Sequence, residues 1–198
     1  MLHSASSDER LRYFGEQLGI VEYGLFMLEA EYEIVILHDF VIYGYFRDRG
    51  RLIDDFVDAK LEKNDLSDEA RQLLEVKRNA RFGIFEVERV VPGLGMYLRG
   101  YISGDVIFYV DLHFSQTATP GMLLVNRLVK PADWYMSTGA GFPIEEWVIK
   151  QLPARIRSAY KQKAGQLHAL PPAARRGFEC GLLRIAHDEG LTRMMRSG

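Results

Sequence analysis

At residue 81 the hydrophobic pattern changes period, and any fold for this chain must accommodate the change. Before it, apolar residues recur every three or four positions; after it, they alternate within short runs set apart by turn residues every eight to twelve positions. Five such runs follow one another: Phe82–Val91, Met96–Ile102, Val106–Phe114, Met122–Val129 and Trp134–Thr138. Pro92-Gly93-Leu94-Gly95, Ser103-Gly104-Asp105, Ser115–Gly121 and Lys130–Asp133 join them, glycine supplying positive φ at turns. No helical stretch interrupts the five, which favours a small SH3-like barrel over an OB-fold. The expected class is α+β: a helical N-terminal region (1–80), a five-stranded antiparallel SH3-like barrel (81–143) and basic C-terminal helices (144–198), together one compact unit.

The N-terminal region reads as helices. Leu11, Phe14, Leu18, Val21, Leu25 and Leu28 keep one face apolar if a single helix runs from Asp8 through Leu28, although Gly15, Gly19 and Gly24 weaken it. Ile34–Phe46 is apolar nearly all round, the mark of a helix buried on every side. Leu52-Ile53, Phe56-Val57 and Leu61 give a third helix with Asp54, Asp55 and Asp58 outward. Ser67 is a candidate N-cap, followed by Asp68 and Glu69, which suit the helix dipole. After the strands, Val148, Leu152, Ile156 and Tyr160 step by four along one face, with Pro153 in the first turn or at a kink. Pro171-Pro172 breaks the chain before a last helix carrying Phe178, Leu182 and Ile185, ending near Gly190.

Charge divides the chain. Residues 1–80 carry 17 acidic and 10 basic side chains, residues 147–198 carry 3 and 10, and the whole is −2. A basic C-terminal part can track phosphates, or it can pack on the acidic half of its own chain or of a second copy. The lone Cys180 excludes a disulfide framework and a cysteine-rich zinc site. The longest apolar run, Ile34–Phe46, is too short for a membrane span and carries His38 and Asp39. With no signal-peptide pattern at the start, the expectation is a reduced, cytoplasmic protein with no membrane role.

The Phe85–Val87 opening, the Pro92–Gly95 turn, the Ser115 loop, Pro120-Gly121 and Arg127-Leu128-Val129 form a set. Together with Gly50–Asp54 and Leu66-Ser67 they resemble uncharacterised bacterial proteins in which a helical half precedes a strand-rich module. Such proteins often carry a C-terminal SEC-C zinc motif. These are turn and core positions, so the resemblance implies a fold and transfers no catalytic residue; the zinc motif itself is absent.

Alternation along the second and third runs supplies the candidate site. Tyr97, Arg99 and Tyr101 share one face of the second; Tyr109, Asp111 and His113 share one face of the third. If these faces coincide and point outward with Arg127, they form stacking platforms beside cations, a surface suited to single-stranded nucleic acid or a peptide. Arg155, Arg157, Lys161, Lys163, Arg175 and Arg176 would extend it with phosphate-neutralising charge. The competing arrangement has the helices covering this face. The expectation is a non-enzymatic binding or regulatory module without a cofactor. The alternatives are a protein–protein adaptor or homo-oligomer, and a metal-dependent hydrolase built on His38, Asp39, Asp111 and His113. For His38 a hydrogen-bonded core position is the simpler reading. Asp54, Asp58 and Glu62 read as a solvated acidic face rather than a magnesium site. Cys180, two turns from His187, lacks the orienting partner a catalytic thiol needs.

Overall fold

The computed structural model describes residues 7–28, 31–47, 50–63, 65–163 and 169–189. Helix α1 (Ser7–Leu18) follows the predicted apolar stripe, burying Phe14 and Leu18, and then stops. Gly19 takes φ +82°, ending it, and the chain turns into a hairpin of two-residue strands, β1 (Val21–Glu22) and β2 (Leu25–Phe26). Tyr23 and Gly24 have φ of +51° and +77°, the doubly positive pair of a tight hairpin turn. The expected continuous helix to Leu28 is therefore corrected. The spacing of Val21, Leu25 and Leu28 suits a helix, but glycines 19 and 24 open a conformation the helix cannot contain. The hairpin leaves Tyr23, Leu25, Phe26, Met27 and Leu28 exposed.

Helix α2 (Glu31–Tyr43) buries Ile36, Leu37, Phe40, Val41 and Tyr43. It is not buried on every side: Ile34, Val35, His38 and Ile42 face outward. His38 is thus a surface residue rather than a core histidine, and its neighbour Asp39 is the one buried. Helices α3 (Leu52–Glu62) and α4 (Asp68–Arg78) form as the sequence predicts, with Ser67 Oγ accepting the Ala70 N–H at 3.3 Å. Arg78 joins them by donating to Asp58 and to the Asp54 carbonyl, while Arg51 chelates the Asp54 carboxylate. Two of the three carboxylates on the acidic face of α3 are thereby taken by guanidinium groups.

The strand region gives β3 (Arg81–Val91), β4 (Gly95–Gly100), β5 (Val106–Val110), β6 (Leu123–Val129), β7 (Met136–Ser137) and β8 (Phe142–Ile144). All pair antiparallel in the order β5-β4-β3-β6-β7, with β8 also on β6. The sheet curls into a half-barrel and stays open, so the closed five-stranded SH3-like barrel does not form. The outer side of β6 is divided: Leu123–Val125 pair with β8, and Leu128-Val129 with β7. Neither short strand presents a full edge to β5, and the two sides of the opening meet at an isolated Tyr109–Tyr135 bridge. A 3-10 turn, Phe114–Gln116, follows β5 where the sequence predicts more strand.

Val87, Met96, Leu98, Tyr109, Leu124 and Leu128 fill the inside of the curl. The opposite faces of β3 and β6, with Phe82, Ile84 and Val125, pack on α1, α2 and α7. Gly95 shows how tightly β4 and β5 approach: a Cβ there would lie 2.2 Å from the Tyr109 carbonyl oxygen. Its role is therefore close backbone contact, whereas Gly93, with φ +73°, is the turn glycine.

The C-terminal stripe is divided into α5 (Glu146–Gln151) and α6 (Ala154–Gln162), because Leu152 before Pro153 is extended with ψ 143°. Helix α7 (Pro172–Asp188) begins at the predicted proline and packs on α1, α5 and α6. Among the described residues no helix is long and apolar enough to cross a membrane.

Candidate binding pocket

The predicted binding residues do not reach one surface. The turn Gly100–Asp105 sets the register Arg99 to Val106, so Tyr97 sits opposite Phe108 and Met96 opposite Tyr109. Directly opposed residues share a face. Tyr97 and Arg99 therefore lie on the other side of the sheet from Tyr109. Tyr97 is already engaged, with the tilted ring of Phe108 at 5.0 Å and the Arg89 guanidinium 4.0 Å from its ring centre. Arg99 is held by Glu88 at 2.6 Å.

Arg127 and Arg175 are inside the protein. Arg127 projects from β6 toward the helices, is 0% exposed, and donates to Asp39 at 2.7 Å and Glu179 at 3.1 Å. Arg175 holds the other oxygen of Glu179 at 2.8 Å, and Thr138 donates to Asp39 at 2.6 Å. Helices α2 and α7 thus cover the sheet at Arg127, whereas Arg99 and His113 stay exposed. Arg176 donates to the Tyr45 carbonyl. Tyr101, Arg157 and Lys161 do come together, lining a groove of about 200 Å³ with Lys150 and Glu146. Arg155 is exposed on α6, Lys163 is exposed just after its end, and His113 is exposed ahead of the 3-10 turn.

The hydrolase residues are scattered by these placements: Asp39 is spent on Arg127, while His38 and His113 are exposed. Among the described residues, no group of three or more His, Cys, Asp or Glu side chains could hold a metal ion. Cys180 is buried, and burial first, then Glu179, pushes its thiol pKa up, disfavouring the nucleophilic thiolate. His187 pairs with Glu33 at 2.6 Å.

A cavity of about 270 Å³ lies where the half-barrel fails to close. Its walls come from both sides of the opening. Tyr109, Asp111 and Phe114 belong to β5 and the turn after it; Ser137, Gly139, Gly141, Phe142 and Pro143 belong to β7, β8 and their connection. Leu124 and Asn126 of β6 form the back, and Tyr32 at the start of α2 completes the lining. A hydrogen-bond chain runs along the wall. The Gly139 N–H donates to Ser137 Oγ at 2.9 Å, Ser137 to Asn126 Oδ1 at 2.8 Å, Asn126 Nδ2 to the Tyr109 hydroxyl at 3.3 Å, and that hydroxyl to Asp111 at 3.0 Å. Asp111 also accepts the Phe114 N–H at 2.9 Å, which orders the turn. Tyr32 donates to the Gly141 carbonyl.

Burial raises the pKa of both tyrosine hydroxyls, with Asp39 adding to the effect at Tyr32 and Asp111 at Tyr109. Both remain neutral donors over the physiological range. A Cβ at Gly141 would lie 2.4 Å from Asn126 Nδ2, so the bare backbone lets β8 approach the chain. Sequence reasoning found Tyr109 and Asp111 but missed Tyr32, Asn126, Ser137 and the Gly141-Phe142-Pro143 wall. Asn126 carried a signal: a lone amide in the apolar run Leu123–Val129 must find a buried partner.

The chain matches the family described as "Family of unknown function (DUF7986)" over residues 1–168, and it belongs to that family. The matched span includes every pocket residue, whereas α7 lies beyond it. Comparison with curated proteins and with solved structures gave no match.

Proposed function

We propose that this family member is a non-enzymatic binding protein whose ligand is a small molecule held in the cavity at the barrel opening. The observation that supports this most directly is the convergence of an ordered polar chain and an aromatic wall on one concave space. Ligand sites are typically concave, mostly apolar and equipped with a few fixed polar groups. At about 270 Å³ the cavity sits at the small end of such sites, which favours a compact ligand over a polymer segment. Cys180, single and buried, fits the reduced, cytoplasmic setting inferred from the sequence, and the bacterial kinship is part of the same reading.

Titration of the ¹⁵N-labelled protein with phenol, cyclohexanol and tert-butylamine, followed by amide chemical shifts, tests the site. The expected result is saturable shifts at Ser137, Gly139 and Gly141 with at least one probe. Shifts that never saturate, or that spread over the surface, would remove the pocket from consideration.

A second reading, contact with single-stranded nucleic acid, is supported by the groove that joins Tyr101 to Arg157 and Lys161. With Arg155 and Lys163 it offers four cations besides Lys150, which is paired with Glu146 at 2.9 Å, so log K is expected to fall with log salt at a slope of roughly −3, taking about −0.7 per phosphate. Fluorescence anisotropy with a labelled single-stranded RNA at two salt concentrations reads this slope. The paired substitutions Arg155→Glu and Arg157→Glu should abolish binding; salt-independent binding, or none, counts against this second reading.

A further inference from the structure

The pocket has a definite electrostatic character. Four of its lining residues are aromatic: Tyr32, Tyr109, Phe114 and Phe142. None is lysine, arginine or histidine. Its one carboxylate, Asp111, has no cationic partner among the described residues. Two buried carboxylates elsewhere do have one: Asp39 and Glu179 are neutralised by Arg127 and Arg175. Each Asp111 oxygen accepts one hydrogen bond, from Phe114 N–H and from the Tyr109 hydroxyl. A carboxylate has about four lone-pair directions, so acceptor capacity remains. The two tyrosine hydroxyls stay neutral there and bring no positive charge.

We infer that the pocket takes a small organic cation, an alkylammonium group seated among the aromatic side chains with Asp111 as its counter-ion. This rests on the pocket reading above and names its ligand class. Aromatic faces attract cations through the ring quadrupole, most strongly where water is displaced. An unpaired carboxylate at the same wall adds Coulomb attraction and repels anions. An anion would find no basic group in the lining, and a neutral molecule would leave Asp111 without its counter-ion.

The test compares choline with its neutral isostere 3,3-dimethylbutan-1-ol and with the anion 3,3-dimethylbutanoate, again by the amide shifts of Ser137, Gly139 and Gly141. Choline is expected to bind at least about tenfold tighter than the alcohol, and the anion not at all. Asp111→Asn retains a side-chain oxygen to accept the Phe114 N–H, so the turn is preserved. It should bring choline down to the affinity of the alcohol; the amide nitrogen that replaces the acceptor of the Tyr109 hydroxyl affects both ligands alike, so the ratio of the two affinities is the readout. Equal binding of choline and alcohol, or an unchanged ratio in Asp111→Asn, would overturn the cation inference while the pocket reading survives. Silence to all three probes also overturns it. The pocket itself is then judged by phenol, cyclohexanol and tert-butylamine, and the failure of all three rejects the site.

Discussion

Arg127→Ala is expected to lower the unfolding free energy by about 3–5 kcal/mol, because it strands carboxylates inside the protein. The side chain is fully buried and lies between Asp39 and Glu179, with Arg175 on the far side of Glu179. Two guanidinium groups and two carboxylates balance; removal of Arg127 leaves Asp39 with a hydroxyl from Thr138 as its remaining side-chain partner. Arg127 also stands 5.1–5.5 Å from the ring centres of Phe40, Tyr43 and Phe82. For a chain of this size the melting temperature should fall by roughly 6–20 °C. Arg127→Lys should not restore it, since an ammonium group lacks the planar fork that reaches both carboxylates. The control is Arg99→Ala, which breaks the exposed pair with Glu88 and should cost no more than about 1 kcal/mol. If thermal or denaturant unfolding moves no further for Arg127→Ala than for Arg99→Ala, the brace is not structural.

Phe40→Ala should cost about 3–5 kcal/mol, the usual range for deleting a fully buried ring. Phe40 is the point at which helix, helix and sheet meet. Its ring contacts Phe14 of α1 and Phe82 of β3, both edge-on at 6.2 Å between centres. It also faces the Arg127 guanidinium. No single neighbour can fill the space, because the three come from different elements. Since Phe40 and Arg127 touch, their effects should not add: the double variant is expected to lose less than the sum of the single losses. Strict additivity in denaturant unfolding would show that the ring and the ion network are independent.

Where local chemistry decides conformation, the sequence was legible. Ser67 caps α4 as its hydroxyl and the acids after it imply, and four of the five alternating runs became β3, β4, β5 and β6, three with small shifts of boundary and the third run cut short at Val110. The fifth shortened to Met136-Ser137, and β8 was missed because three residues ending in Phe142-Pro143-Ile144 are too few for alternation to register. The α1 error has a similar origin. An apolar spacing of three and four is shared by a helix and by a hairpin whose exposed residues are also apolar, and Gly19 and Gly24 were the better guide.

The candidate site was less legible. Asp111 and Tyr109 were identified from the third run, yet the pocket needs Tyr32, 77 positions before Tyr109, and the Gly141 wall from β8. Tyr97 and Tyr109 look equivalent on paper. They are separated by one residue of register, and that residue turns one of them to the other side of the sheet.

By itself, then, the sequence determined the α+β class, the change of regime at residue 81, the cap at Ser67 and the breaks at prolines 153 and 171. Each follows from contacts within a few residues, which the local order of side chains specifies. Tertiary structure alone decided that the barrel stays open, that Arg127 and Arg175 are braces rather than a basic surface, and that a cavity forms at the opening with Asp111, which meets no cation among the described residues, in its wall. Those outcomes depend on strand register and on which helix covers which face. Both are set by burial summed over residues far apart in the chain, and no local pattern encodes them.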